Sequence, residues 1–182
     1  MIFSYKYKYV FIENPQTGCS AIRKELIEKY AGEPILRKHA HYREFLSQAN
    51  AEEKRYFAFS TIRNPMDQEV SRYFKLKNDH NKRFTKRLDK SGLRWLDETR
   101  LSKKFKYVQK EISFSDYFIK FNKFIPCDSP IFVYQDCLDF IIRYENINDD
   151  FMIVLKKLNI IPVRKLPVYN VTEGKGKDFY SY

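Results

Sequence analysis

Apolar and polar positions divide the chain into an alternation of short strand-like and helix-like stretches. Tyr5-Lys6-Tyr7-Lys8-Tyr9-Val10-Phe11-Ile12 first alternates and then becomes continuously apolar, the pattern of a strand running into a buried sheet. Asn14-Pro15 breaks it. From Thr17 the spacing turns helical, with Ile22, Leu26 and Tyr30 on one face, and Gly32 stops the run. Pro34-Ile35-Leu36-Arg37-Lys38-His39 reads as a second strand leading into a short helix over 42–48. Tyr56 to Ile62 is another buried-strand pattern, ending at Arg63. Asn64-Pro65 then supplies a helix start, with Asn as N-cap and Pro at the first helical position. Met66, Val70, Tyr73 and Phe74 continue it as an apolar stripe. Residues 79–124 are strongly charged and helical in pattern. Leu138 to Tyr144 reads as a strand, Asp149 to Leu158 as a helix, and 162–182 as an irregular basic tail.

Strands alternating with helices predict an α/β fold with a mostly parallel central sheet covered by helices on both faces. With no internal repeat and no Pro/Gly/Ser-rich linker, the 182 residues read as a single domain. An aromatic content of 17% excludes intrinsic disorder, and 5 Gly and 7 Pro exclude collagen-like and low-complexity classes. No apolar run approaches the roughly 18 residues needed to cross a bilayer. The opening Met1 to Lys6 lacks a long apolar stretch and a small-residue cleavage site, so no signal peptide is expected. Cys19, Cys127 and Cys137 show no metal-binding spacing, and an odd count without a secretory signal predicts reduced thiols in the cytoplasm.

Charge narrows the partner. The chain has 34 Lys+Arg against 23 Asp+Glu, a net charge of +11, which favours an anionic ligand. The clusters Lys82-Arg83, Lys86-Arg87, Lys103-Lys104 and Lys156-Lys157 each read as solvated helix faces. Nothing resembles a nucleic-acid recognition motif, so nucleic acid is not an expected partner.

Three stretches carry chemistry. Asn14-Pro15-Gln16-Thr17-Gly18-Cys19-Ser20-Ala21 joins a buried strand to a helix. Such a loop turns successive backbone N–H groups, with the positive helix end behind them, toward one point. Gly18 lets an anion approach the backbone, and Thr17 and Ser20 add hydroxyl donors, which makes this a phosphate-cradle candidate. It lacks the second glycine and the lysine of the ATP-type loop, which disfavours a nucleotide kinase.

In the second stretch, Arg63-Asn64-Pro65, Arg63 closes a predicted strand, and Ser71 lies about two turns into the following helix. The planar donor fork of arginine suits phosphate, and a serine hydroxyl completes the grip. Ligands of such sheets bind at the carboxyl ends of the strands, so both motifs are expected at one rim. The third stretch, His39-Ala40-His41, follows another predicted strand. With no carboxylate or cysteine spacing to complete a zinc site, no metal is expected. Imidazoles titrate near neutral pH, and either histidine suits general-base work on a hydroxyl. His80 reads as a surface residue.

These residues together resemble the PAPS-dependent sulfotransferases, in particular the carbohydrate branch that includes heparan sulfate 2-O-sulfotransferase. The family's loop, Pro-Lys-Thr-Gly-Gly-Thr or a close variant, is similar to Pro15-Gln16-Thr17-Gly18-Cys19-Ser20. Its second motif, Arg-(Asn/Asp)-Pro with a serine eight residues after the Arg, is similar to Arg63-Asn64-Pro65 and Ser71. Arg143-Tyr144-Glu145-Asn146 resembles a further family segment without an assigned chemical role. Leu166 to Asn170 followed by Gly174-Lys175-Gly176-Lys177 resembles a late basic loop that closes over the nucleotide. The likeness is good over 5–77 and loose over 138–177. Relatives continue into a final helix, so the chain is expected to be truncated.

The resemblance implies a three-layer P-loop-type fold and sulfuryl transfer from PAPS to a hydroxyl. The acceptor would be an anionic glycan or glycolipid, PAP would be the product, and no metal would be needed. Pro15 to Ala21 would hold the 5′-phosphosulfate, Arg63 and Ser71 the 3′-phosphate, and Lys175, Gly176 and Lys177 would close over the nucleotide. His39 would be the base, with His41 second. The family's loop lysine falls at Gln16, a neutral donor where charge builds on the leaving oxygen. Losing one preorganised donor of that kind costs about 3–4 kcal/mol. The alternative is therefore a catalytically weakened nucleotide- or polyanion-binding relative.

Overall fold

The computed structural model describes residues 1–82, 84–85, 100–122, 137–168, 171–176 and 182. Lys86-Arg87, Arg83, Cys127 and Lys177 lie outside the described residues. The chain divides into two compact units, residues 1–64 with 126–169 and residues 65–125 with 170–182. The first boundary falls within a two-residue turn with no linker composition, so the sequence pattern reads straight through it.

The first unit is α/β and carries a five-stranded sheet. Its strands are β1 (Ile2–Ser4), β2 (Tyr9–Ile12), β3 (Glu33–Pro34), β4 (Phe57–Ile62) and β5 (Phe140–Arg143), in the order β3-β1-β2-β4-β5. β2–β4 and β4–β5 are parallel, whereas β1–β2 and β1–β3 are antiparallel. Four strands thus share one direction and β1 alone runs against them, a mostly parallel sheet made mixed at its start. The difference arises at the start, where one long strand was expected over Tyr5–Ile12. A hairpin forms instead, pairing Ile2 with Phe11 and Ser4 with Tyr9. Its turn uses Lys8 at φ 51° and a bond from the Tyr7 N–H to Ser4 Oγ (3.3 Å), with no glycine to announce it. The strand expected over Pro34–His39 shrinks to Glu33–Pro34, because Leu36 (φ 45°) and His39 (φ 63°) turn the chain out of the extended region.

Around the sheet run α1 (Cys19–Lys29), α2 (Tyr42–Gln48) and a later helix, Ile147–Lys157. Strand periodicity decides which helix covers which face. Tyr9, Phe11 and Phe59 point to a core with Ile22, Leu26, Phe151 and Val154. Val10 and Ala58 point the other way, to Met1, Phe3, Tyr42 and Phe45. The apolar face predicted for α1 is the buried one, with Ile22, Leu26 and Tyr30 at most 1% exposed. Glu25 interrupts that face, and Arg164 answers its buried carboxylate at 2.8 Å.

The second unit holds α3 (Pro65–Lys77), α4 (Arg100–Val108) and α5 (Phe114–Asn122), so the helix Ile147–Lys157 is α6. Val70, Tyr73 and Leu76 of α3 pack with Phe105 and Val108 of α4 and Phe114 and Tyr117 of α5. The helical reading of the charged middle thus holds for its described part. The described tail forms no helix or strand. No helix among the described residues is long and apolar enough to cross a membrane.

Phe59 is fully buried at the centre of β4, 5.0 Å from the Phe11 ring and 5.9 Å from the Tyr9 ring. Replacing a buried phenylalanine by alanine costs about 3–5 kcal/mol. Urea unfolding of Phe59→Ala should show a loss in that range, with an unchanged slope.

Candidate functional site

β2 and β4 run parallel, so their carboxyl ends meet at one edge of the sheet. β3 opposes β1, as β2 does, and therefore leaves toward the same edge. Three stretches far apart in sequence arrive there: the loop after β2, Arg63 after β4, and the His39 turn after β3.

The loop bends at Gln16 (φ 63°) and Gly18 (φ 79°), and Gly18 is the N-cap of α1. No side chain caps the helix, and its first turn contains no acid. The leading N–H groups, at Cys19 and Ser20, thus form a positive end suited to an anion. Two loop residues act differently from expectation. Thr17 is fully buried, and its hydroxyl donates to the Asn14 carbonyl (2.7 Å) and contacts Thr61 Oγ1, so it braces the loop instead of facing a ligand. Nor is the space beside Gly18 open, since a Cβ there would lie 2.6 Å from Ile147 Cδ1 and 3.0 Å from Tyr144 Cδ2. Glycine is required by its φ and by this packing, not by the approach of an anion. Pro15 and Gln16 are exposed, while Cys19 and Ala21 are buried beneath the loop. Burial pushes the Cys19 thiol up to about 11, so it is a poor nucleophile.

Arg63 is 6% exposed, and its Nη1 donates to the Gln16 carbonyl at 3.2 Å. The guanidinium carbon lies 4.0 Å from the centre of the Tyr144 ring. Next to it, the Asn64 N–H donates to Glu145 Oε1 (2.8 Å). The Arg143–Asn146 segment, to which the sequence assigned no chemistry, is thus the buttress of Arg63. Arg143 is itself tied to Asp150, Nη2 to Oδ1 at 2.9 Å and Nε to Oδ2 at 3.0 Å. Hydrogen bonding from Arg143 holds the Asp150 carboxyl below its usual range.

His39 Nδ1 lies 2.9 Å from the Glu13 carbonyl oxygen. A carbonyl only accepts, so Nδ1 carries the proton, and Nε2 of the neutral ring is left as the basic nitrogen. His39 borders a cavity of about 250 Å³ whose lining includes Ile12, Pro15, Ala40, Tyr42 and Leu138 together with His41 and Ser60. His41 also borders it but is the N-cap of α2, its N–H bonded to Glu44 Oε1 (2.9 Å). Below them Glu13 is buried and binds Arg23 Nη1 (2.6 Å) and the Met1 ammonium (2.5 Å). The sequence reading missed Glu13, whose visible signal is an acid at the end of an apolar strand, and noted Tyr144 and Glu145 by resemblance without giving them a role.

The remaining expected site residues belong to the second unit. Ser71 is buried in α3. Lys175 Nζ pairs with Asp67 Oδ1 at 2.5 Å, so a nucleotide-closing role for Lys175 requires that pair to open. Gly176 is exposed. No group of three or more metal-ligating side chains occurs among the described residues. Comparisons of the chain with protein-family models, with curated proteins and with solved structures returned no match.

Asp150 offers a test of the buttress. Its folded pKa lies below its unfolded one, so its stabilisation is complete above the unfolded value and disappears as pH falls through the folded value. Asp150→Asn should lose about 1–2 kcal/mol at neutral pH, a drop of a few degrees in melting temperature. The gap from wild type should close as acid is added below the usual carboxylate range, read by thermal melts across pH.

Proposed function

We propose that this protein transfers a sulfuryl group from PAPS to a hydroxyl of a carbohydrate-type acceptor, on a three-layer P-loop-type fold. One observation carries the reading: the guanidinium of Arg63 meets the backbone of the loop that precedes α1, although 47 residues separate them. That meeting joins the two motifs on which the resemblance rests.

In this reading the N–H groups opening α1 receive the 5′-phosphosulfate, with Gln16 at the loop's exposed tip. Arg63 takes the 3′-phosphate of the donor. His39 Nε2 removes the acceptor's hydroxyl proton while the oxygen attacks sulfur. The sulfur–oxygen bond to the phosphate breaks, and its electron pair stays on the phosphate oxygen, giving PAP. Such chemistry rests on positioning and charge stabilisation, as in phosphoryl transfer. The cavity beside His39 is lined by both apolar and polar residues, which suits an amphiphilic acceptor such as a glycolipid. The net charge of +11 suits the anionic donor and an anionic glycan.

A second reading is favoured by Gln16 itself, a neutral side chain where relatives of this kind carry a lysine: a nucleotide-binding protein without efficient turnover. Thermal melts with PAP and with ADP test the site common to both readings. PAP should raise the melting temperature well above the effect of ADP, which lacks the 3′-phosphate; equal shifts would remove the 3′-phosphate site. Assay of sulfate transfer from PAPS then separates them. His39→Ala should reduce transfer at least about 100-fold, the scale of general-base catalysis, while leaving the PAP shift intact. A wild type that PAP stabilises but that transfers nothing establishes the second reading.

A further inference from the structure

The loop that opens α1 brings no cation of its own, since residues 14–21 contain neither lysine nor arginine. Two cations reach it from elsewhere: Arg63, whose Nη1 donates to the Gln16 carbonyl, and a lysine whose Nζ lies at the start of α1. Lys38, in the turn between β3 and α2, places Nζ 3.3 Å from the hydroxyl of Ser20, in the first turn of α1. It also lies near Cys19, where its charge opposes the larger upward pushes of burial and of the Glu13 carboxylate on the thiol. Among the described residues no carboxylate pairs with Lys38; its hydrogen-bond partner is the neutral Ser20.

The turn that carries Lys38 is held on both sides. Arg37 Nη2 binds Glu44 Oε1 at 2.7 Å, the Ala40 N–H donates to the Arg37 carbonyl (3.1 Å), and His39 is anchored on the Glu13 carbonyl. A lysine fixed at its backbone and extended to the helix end is placed to contact an anion seated there.

We propose that Lys38 is the cation of the anion-binding loop, supplying from the β3–α2 turn the charge that position 16 does not. The inference rests on the function proposed above. When acceptor oxygen bonds to sulfur and the bridging sulfur–oxygen bond breaks, the electron pair remains on the 5′-phosphate. Lys38 balances that charge, and the acceptor proton goes to the adjacent His39. Cation and base thus come from consecutive residues of one turn. The exchange also explains how Gln16 is tolerated: a neutral residue at the loop tip leaves room, electrostatically, for an ammonium arriving from the side.

Calorimetry of the full chain separates this assignment from the reading beneath it. Adenosine 3′,5′-bisphosphate and adenosine 3′-monophosphate differ only in the 5′-phosphate, the group Lys38 would contact. Wild type should prefer the bisphosphate. Lys38→Met should weaken bisphosphate binding about tenfold, as expected for one exposed charge-assisted contact, with the monophosphate unchanged. Lys38→Arg should retain the preference, and adding Gln16→Lys to Lys38→Met should restore it. If wild type prefers the bisphosphate and Lys38→Met does so equally, Lys38 has no such role and the function stands. If Lys38→Met weakens both ligands alike, the assignment also fails, because the effect is not at the 5′ position. If wild type does not distinguish the two ligands, the 5′-phosphate site is absent, and the proposed function fails together with the inference.

Discussion

The edge of the sheet is organised around a buried guanidinium. Removing a charge from water costs several kcal/mol unless the protein replaces its solvation. Arg63 regains that solvation by donating to the Gln16 carbonyl and lying against the face of Tyr144. Each partner belongs to a different connection, one before α1 and one before α6, so satisfying one side chain fixes two loops against the end of β4. The loop conformation depends on this. Gln16 sits at φ 63°, a region unfavourable for a side-chain-bearing residue, and the bond to its carbonyl helps hold it there. The same bond ties the loop that precedes the first α1 N–H groups to the end of β4.

A second buried charge organises the other half of the edge. Glu13 follows directly on β2, and its side chain gathers Arg23 and the Met1 ammonium, while its main-chain carbonyl orients His39. One residue therefore fixes the start of the chain, the side of α1 and the tautomer of the candidate base. Backbone and side chain divide the work: the carboxylate is stabilised by cations, and the carbonyl, which cannot donate, selects which imidazole nitrogen stays basic.

Much of this was legible in the sequence, for identifiable reasons. Strands β4 and β5 and helices α1, α2, α3 and α6 follow from apolar periodicity and from Asn64-Pro65, because each buries a regular face. The opening hairpin was not legible. Its turn has no glycine or asparagine, and the Tyr-Lys alternation of its tip imitates a strand although Tyr5 is 60% exposed. The convergence of the loop with Arg63 followed from parallel strands sharing an edge. The inward use of the Thr17 hydroxyl and the packing of Ile147 over Gly18 could not be read, since both depend on partners 44 and 129 residues away. Lys38 was invisible as a site residue for the same reason. A lone lysine in a turn acquires meaning only from the helix end it reaches.

The period of two along β2 links these halves. Phe11 faces the core shared with α1 and α6, and Val10 faces the core shared with α2. The helix that follows the β2 loop is thus supported from one face of the sheet, and the turn carrying Lys38 and His39 leads into the helix on the other. They meet beyond the carboxyl end of β2, through Glu13 and through the bond from Lys38 to Ser20. A one-residue slip of β2 would exchange the two faces and carry every side chain to the wrong core. The aromatic and β-branched residues of a four-residue strand therefore set more than stability. They determine that Lys38, His39 and the start of α1, built on opposite sides of the sheet, come together at the end of one strand.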